Sequence, residues 1–255
     1  MNRKNLLVRY DKDLRLRLMV PEARKEITDD VVRFVRQAPG MNFVGFTFAN
    51  ERQLDRVIDH ELEYFAPMNQ PFTWKVYEHD LLPSIEEKLS ARGFVSDGGD
   101  AVMVLDIKNA QPALFQPVAA DIRRIDTRQG LQDVIHVLDK VWGGHNTWVN
   151  ERLGGHLQIP GYLSVYVAYV AGQPASIAWT YFPHGSFATL FAGSTIAEYR
   201  KQGLYTSLLA TRLKEIRGRG YRFAVVEAGS MSKPIVAKHG FQQLTTVYDF
   251  EWKRN

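Results

Sequence analysis

Apolar residues recur along this chain with two periods. Leu54, Val57, Ile58, Leu62 and Phe65 fall at helical spacing after Asn50, a cap residue. Leu131, Val134, Ile135 and Leu138 repeat that spacing within a helix predicted over 128–141. Leu204, Leu208, Leu209, Leu213 and Ile216 form a third stripe, ended by Gly218 and Gly220. The other period is two. "DLRLRLMV" sets Leu14, Leu16 and Leu18 against Arg15 and Arg17, the pattern of a half-buried strand. Strands are also predicted at "MNFVGFTFA", "FTWKVYEH", "GFVSDGGDAVMVLDI" (with a turn at Gly98–Gly99), "VAADIRRID", "RFAVVEAG" and "FQQLTTVYDFEW". "YLSVYVAYV", "PASIAWTYF" and "SFATLFAGSTI", joined by "AGQ" and "PHG", predict a three-stranded meander. "TDDVVRFVRQAPG" reads as a short helix capped by Thr28 and stopped by Pro39 and Gly40. "LLPSIEEKLSAR" and "MSKPIVAKHG" read as two more short helices, and 142–161 as loop with one helical turn.

The clearest interruption is "KNAQPALFQPVAA", where two prolines and small residues separate the periodic regions. It divides the chain into residues 1–110 and 118–255. "KVYEHDLLPSIEEKLSARGF" (75–94) and "VVEAGSMSKPIVAKHGF" (225–241) both run strand, turn, proline-started helix, Gly-Phe. This reads as an internal duplication within a mixed α/β (α+β) protein.

Composition narrows the chemistry. The 255 residues are 45% hydrophobic and 24% charged, ordinary for a soluble chain with a sizeable core. No apolar run has the length of a membrane helix, and the charged N-terminus has no signal-peptide core, so the cytoplasm is the expected compartment and no membrane partner is expected. The absence of cysteine excludes disulfides, thiolate zinc sites and a cysteine nucleophile. "HELEY" has Tyr64 where a second metal-binding histidine would stand, and no metal is expected. The net charge of +4 is concentrated. Residues 198–222 hold seven cations and two carboxylates, a net +5, so the remainder carries −1. That makes an anionic partner a local proposition, and nucleic acid is not expected.

"EYRKQGLYTSLL" (198–209) is where the charge pattern looks wrong. Arg200 and Lys201 stand at the start of a helix, whose unpaired N–H groups already carry positive partial charge; a cation there costs roughly 0.3–1 kcal/mol. A phosphate seated in this strand–loop–helix turn would cancel that term and take the orphan donors, and Gly203 would let it approach the backbone. The bland alternative is a solvated basic loop. Neither G-x-x-x-x-G-K-[ST] nor G-x-G-x-x-G is present.

"AEYRKQGLYTSLL" resembles the pyrophosphate loop of the GNAT N-acetyltransferase superfamily, Q/R-x-x-G-x-G/A. Arg200, Gln202 and Gly203 fit, and Tyr205 stands where the second small residue is usual. The order of elements over 118–255 is similar to that family as well. Residues 42–106 look like the second half of the same fold, but "FANERQLDRV" lacks the loop glycine. The chain thus resembles tandem GNATs: two mixed sheets flanked by helices, the C-terminal copy complete, the N-terminal copy partial and degenerate. The resemblance implies acetyl-CoA as co-substrate, held by backbone groups of Arg200, Lys201, Gln202, Gly203, Leu204, Tyr205 and Thr206, with its pantetheine arm along Gly193 and Thr195. It implies acetyl transfer to a small-molecule or peptide primary amine, by a monomer or homodimer. The alternative is a non-catalytic acyl-CoA-binding or partner-binding module. That alternative is motivated by the family's last-helix pattern, N-x-x-A-x-x-L-Y-x-K-x-G-F, whose tyrosine acid is here Val236, with Gly229 and Ser232 at its asparagine and alanine positions. Glu227 is then the candidate base, or an ordinary strand-end carboxylate; Tyr205, Ser230 and Ser232 are candidate proton donors. Tyr205 is expected to pack as the first apolar residue of its stripe, the other reading being that it lines the acyl pocket. The acceptor would be shaped by 142–161 with Tyr166 and Trp179. His145 and His156 lie in that segment; Trp142 and Trp148 are expected to pack in the core, an aromatic substrate wall being the alternative.

Overall fold

A computed structural model describes residues 1–36 and 42–253. The helices are α1 (Arg3–Tyr10), α2 (Leu54–Phe65), α3 (Ile85–Ser90), α4 (Leu131–Trp142), α5 (Trp148–His156), α6 (Leu204–Gly218) and α7 (Lys233–Lys238). The strands are β1 (Arg24–Ile27), β2 (Val31–Val35), β3 (Asn42–Thr47), β4 (Phe72–Tyr77), β5 (Gly99–Asp106), β6 (Asp121–Ile125), β7 (Leu163–Val170), β8 (Gln173–Tyr181), β9 (Phe187–Thr195), β10 (Phe223–Ala228) and β11 (Gln242–Trp252). The chain forms two compact units: Met1–Met103 with Glu227–Pro234 and the residues from Gln243 onward, and Val104–Val226 with Ile235–Gln242. The units do not follow one cut near residue 110. The chain's last strand completes the first unit.

In the first unit β1, β2 and β3 are antiparallel neighbours, and β3 runs parallel to β4. β4 then pairs antiparallel with β11, from Phe72↔Trp252 to Tyr77↔Val247. The helical stripe of α2 (Leu54, Val57, Ile58, Phe65) and α3 (Ile85, Leu89) packs on Phe72, Trp74 and Phe250 of this sheet. Phe65 stacks on Phe72 with centroids 4.2 Å apart.

Two expectations for this unit are corrected. "DLRLRLMV" is not a strand: residues Asp11–Leu16 continue α1 as a π-helical turn. The alternation misleads because Arg15 belongs inside, 2% exposed. Its guanidinium donates to Asp80 Oδ1 and Oδ2 (2.7 and 2.9 Å), Asp11 Oδ1 (2.9 Å) and the Gly45 carbonyl (3.0 Å). It also lies 4.0 Å from the Tyr77 ring centroid and 4.5 Å from that of Phe46. Burial opposes the charge, but the carboxylates, Asp80 foremost, outweigh it and raise the pKa. "TDDVVRFVRQAPG" is not a helix but contains β2, all five residues of which are buried. β-Branched Val31, Val32 and Val35 favour the pleated surface, and Arg33 is neutralised there by Glu61 and Glu26 at 2.8 Å each. Thr28 does cap, but caps the turn into β2, its Oγ1 accepting from the N–H of Asp30 and Val31. Pro39 and Gly40 lie outside the described residues.

In the second unit β6, β7, β8 and β9 form the expected antiparallel meander, and β10 joins β9 in parallel. One face packs against α4 and α5 through Leu131, Val134, Val137, Leu138, Val149 and Leu153. The other carries Ala168, Ala175 and Ala178, small side chains against which Leu204 and Leu208 of α6 pack. The 142–161 segment holds more than one helical turn: α5 is nine residues long, its buried Val149 and Leu153 spaced at i, i+4. Each unit is thus a mixed sheet with helices packed on it, the mixed α/β class expected. Among the described residues no helix is long and apolar enough to cross a membrane.

Candidate functional site

The site begins with an irregularity in β9. Ile177 pairs with Ser194 and Trp179 with Phe191, so Ala192 and Gly193 together oppose Ala178. This is a β-bulge, and Ala192 takes φ 49° to make it. On the other side of β9, pairing with β10 stops at Thr189↔Val225. Beyond that point this edge of β9 has no described strand partner. The Ile196 N–H donates to the Ala175 carbonyl of β8 at 3.0 Å. By strand alternation, Thr195 turns its backbone groups toward the open edge. There Arg200 Nε donates to the Thr195 carbonyl at 3.2 Å. The Thr195 hydroxyl pairs with Ser176 Oγ at 2.8 Å.

The loop leading to α6 gathers unpartnered amides. Lys201 (φ 63°) and Gly203 (φ 79°) are both left-handed. Gly203 is the N-cap, with no side-chain cap bond and no acid in the helix's first turn. The Arg200 N–H donates to the Ala197 carbonyl at 3.2 Å, so it is already engaged. The N–H groups of Lys201, Gln202, Gly203, Leu204, Tyr205 and Thr206 have no hydrogen-bond partner among the described residues. A Cβ added at Gly203 would meet nothing within 4 Å, so the turn opens to solvent. Six adjacent donors at the positive end of a fifteen-residue helix make an anion cradle.

The basic strip around it resolves into unlike parts. Arg222 forks onto Asp106 (2.6 and 2.7 Å), Arg219 reaches Glu215 at 2.7 Å, and Arg217 lies 3.8 Å from the Phe115 ring centroid. Arg200 and Lys201 stay exposed at the loop. Two of the strip's cations, Arg219 and Arg222, are thus paired with carboxylates, while Arg200 and Lys201 present their charge beside the loop.

Tyr205, in the first turn of α6, lies over the bulge. A Cβ added at Gly193 would come 2.6 Å from Tyr205 Cε2 and 3.4 Å from Cζ. Glycine at 193 thus lets the ring lie close against the strand, and Tyr205 is half-buried there. Burial raises its pKa and Arg212 lowers it less, so the phenol is neutral and can donate.

Arg212 was missed as a site residue. Seven residues after Tyr205, it sits within the apolar stripe of α6, 2% exposed. Its Nη1 donates to the Trp179 and Phe191 carbonyls, both at 3.4 Å, and its Nε to Leu208 at 3.3 Å. No carboxylate pairs with it among the described residues, and burial pulls its pKa down to about 10. An unpaired buried cation costs several kcal/mol. Here it clamps the carbonyls of the last paired residues before the bulge. A cation interrupting the Leu208–Leu213 stripe was the sequence signal.

The remaining candidates lie in the first unit. Glu227 pairs with Lys75 at 3.1 Å, and Lys75 also meets Asp249 at 3.0 Å. Burial works against the Lys75 ammonium, but Glu227 and Asp249 outweigh it and raise its pKa. Ser232 Oγ donates to the Gly229 carbonyl at 3.3 Å, and Ser230 is exposed. In the second unit Val236 is buried. Trp142 and Trp148 are not core residues; both are exposed. Among the described residues, no group of three or more His, Asp or Glu is placed to hold a metal ion.

No family model and no curated protein matches this sequence. Solved structures do match its fold. A GCN5-related N-acetyltransferase from Kribbella flavida superposes with a TM-score of 0.69 at 10% identity, covering 99% of this chain and 95% of its own. A conserved protein of unknown function from Staphylococcus epidermidis gives 0.71 at 15% identity, covering 93% and 96%. A tandem GNAT protein of the clavulanic acid biosynthesis pathway gives 0.64 at 14% identity, covering 93% and 85%. Over nearly its whole length this chain has the fold of the GNAT N-acetyltransferases in their tandem arrangement.

Proposed function

We propose that this protein is an acyl-CoA-dependent N-acyltransferase that moves the acetyl group of acetyl-CoA to a primary amine by direct attack. One observation carries the reading: the run of unpartnered N–H groups from Lys201 to Thr206, flanked by exposed Arg200 and Lys201, beside the open edge of β9. A pyrophosphate fits such a cradle in charge and in hydrogen-bonding capacity. Gly193 is the strand contact left for a pantetheine arm, because Arg200 already holds the Thr195 carbonyl. The same reading makes the first unit a copy that has lost its cofactor site.

In this reaction a C–N bond forms between the amine nitrogen and the acetyl carbon, and the C–S bond breaks. The nitrogen gives up one proton to water, and the departing sulfur takes one from the protein, whose donor is reprotonated from solvent. The bulge at Ala192–Gly193 releases backbone groups from the ladder, and an N–H there would stabilise charge building on the carbonyl oxygen. Tyr205 is the proton donor to sulfur, a neutral phenol over Gly193. Glu227 spends its charge on Lys75 and is left out of the proton path.

The test is a thermal shift followed by turnover. Acetyl-CoA at a hundred times its Kd adds about 2.7 kcal/mol of stability, and amines should then release free thiol. No shift at millimolar acetyl-CoA would overturn the reading. Buried Val236 at the acid position favours the second reading, a binding module without chemistry; a shift without thiol release across a broad amine panel would select it.

A further inference from the structure

Beside the open strand edge the second unit leaves three large aromatic side chains in solvent. Trp142 at the end of α4 is 68% exposed, Trp148 at the start of α5 is 43%, and Phe191 in β9 is 46%. Single exposed apolar residues are ordinary, but a connected set of rings is not. Trp148 and Phe191 are joined through Trp179, and Trp142 is bonded to the strand that carries Phe191. Trp142 Nε1 donates to Ser194 Oγ of β9 at 3.2 Å. Trp148 meets Trp179 edge-on at 6.5 Å, and Trp179 pairs with Phe191 across β8 and β9. Phe191 in turn meets Tyr181 edge-on at 5.4 Å, and the Tyr181 hydroxyl is held by His156 Nδ1 at 2.8 Å.

The wall is fixed in place. Trp148 Nε1 donates to Asn146 Oδ1 at 3.3 Å, and Asn146 is tied to Asp139 through its N–H (2.9 Å) and Nδ2 (2.8 Å). Both indole N–H groups are therefore taken, and Asp139 is spent on Asn146. What remains to offer a ligand is ring surface. Phe191 directly precedes Ala192 and Gly193, so this surface is continuous with the strand edge that the proposed reaction uses.

We propose that this wall binds the acceptor, and that the acceptor is an arylalkylamine: a primary amine carrying an aromatic ring a few bonds from its nitrogen. The ring packs against Trp142, Trp148 and Phe191, and the nitrogen lies toward the bulge. Rings in offset or edge-on contact add affinity beyond the area they bury, and the face of an indole also attracts an ammonium during approach. The inference rests on the acyl-transfer reading for its chemistry, but the wall can be tested without it.

The probe is 2-phenylethylamine, compared with ethylamine and a lysine-containing peptide. In the first arm, without acetyl-CoA, 2-phenylethylamine should change the tryptophan fluorescence of the wild-type protein saturably, and ethylamine should not. In the second arm, acetyl-CoA-dependent thiol release should show kcat/KM at least about tenfold higher for 2-phenylethylamine than for ethylamine. The exposed pair replaced together, Trp142→Ala with Trp148→Ala, should raise KM for 2-phenylethylamine about tenfold, erase its preference over ethylamine and leave the acetyl-CoA thermal shift unchanged. Trp142→Phe with Trp148→Phe should keep most of the wild-type preference. Equal kinetics for the two amines, preference for the peptide, or a fluorescence response identical in the Ala pair would each overturn the wall. Fluorescence binding without any acetyl-CoA shift would overturn the acyl-transfer reading and leave the wall standing.

Discussion

Each unit contains a strand that turns through a loop into a helix, and the two turns spend their backbone groups differently. In the first unit most of the loop after β3 is closed, and only Glu51 and the first three N–H groups of α2 (Leu54, Asp55, Arg56) lack a hydrogen-bond partner among the described residues. The N–H groups of Phe48 and Ala49 donate to the Asp30 carbonyl, Asn50 N–H to Gln53 Oε1, Arg52 N–H to Asn50 Oδ1 and Gln53 N–H to the Asn50 carbonyl. Glu51 accepts from the N–H of Ser84 at the start of α3. In the second unit the turn after β9 leaves six N–H groups unpartnered and sets two cations beside them. The strands differ in the same way. β3 pairs with β4 only from Asn42 to Val44, much as β9 pairs with β10 only from Phe187 to Thr189. Past that point the Gly45 carbonyl is taken by the buried Arg15, whereas on the corresponding edge of β9 the exposed Arg200 holds the Thr195 carbonyl and Gly193 is left. Both helices begin with unpartnered N–H groups, but only the loop before α6 adds three more, at Lys201, Gln202 and Gly203, which is what the proposed anion site would use.

That contrast can be broken by substitution. The largest effect is expected at Arg15, where Ala would leave Asp80 and Asp11 without their buried partner and should destabilise the protein by about 3–5 kcal/mol in denaturant titration. A loss under about 1 kcal/mol would mean that the closed turn does not depend on it. Next comes Gly203→Glu, which puts a side chain at φ 79° and a carboxylate in the cradle. It should abolish the acetyl-CoA thermal shift, about 2.7 kcal/mol at a hundred times Kd, while Glu51→Gln in the closed turn leaves that shift intact. Equal shifts in all three proteins would erase the distinction.

The strand glycines sharpen it further. Gly193→Ala would drive a Cβ to 2.6 Å from Tyr205, whereas Gly45→Ala meets only Phe34 and Phe43 ring edges at 3.3 Å. The first should cost about 1–3 kcal/mol and the second less, and a double-mutant cycle with Tyr205→Leu should recover much of the first. The smallest effect is at His239, whose Nε2 lies 3.4 Å from Thr206 Oγ1 in the open turn. Burial holds its pKa below the ordinary histidine value. The unfolded chain therefore binds this proton more readily, and stability should fall as pH drops from about 6.5 through the depressed value. His239→Gln should flatten that slope in thermal melts between pH 7 and 5.

The open turn was legible because everything that defines it is local: Gly203, two cations, and the stripe from Leu204 to Ile216. The closed turn was legible only as a missing glycine. The alternating pattern puts Arg15 on the solvent side, and Arg212 enters the sequence only as one of the cations of 198–222, because a cation in a short pattern is ordinarily exposed. Their partners are Asp80 and Gly45 in one case and the carbonyls of Trp179 and Phe191 in the other, all far away in sequence. The same holds for β2, where Arg33 obscured a buried run until Glu61 was seen to pair with it. Trp142 was expected in the core because large aromatic rings ordinarily pack there, but it is 68% exposed, with its Nε1 donating to Ser194 Oγ.

The first unit draws residues from both ends of the chain, its β4 pairing with β11 from Phe72↔Trp252 to Tyr77↔Val247. On a ribosome, then, the half synthesised first cannot be finished first. Residues 1–103 must wait for about 140 more to be made before β4 gains this neighbour. During that interval β4 is a strand edge that other chains could pair with. A truncation after residue 242 removes the one segment that ends the wait, and the released chain should aggregate through its older half.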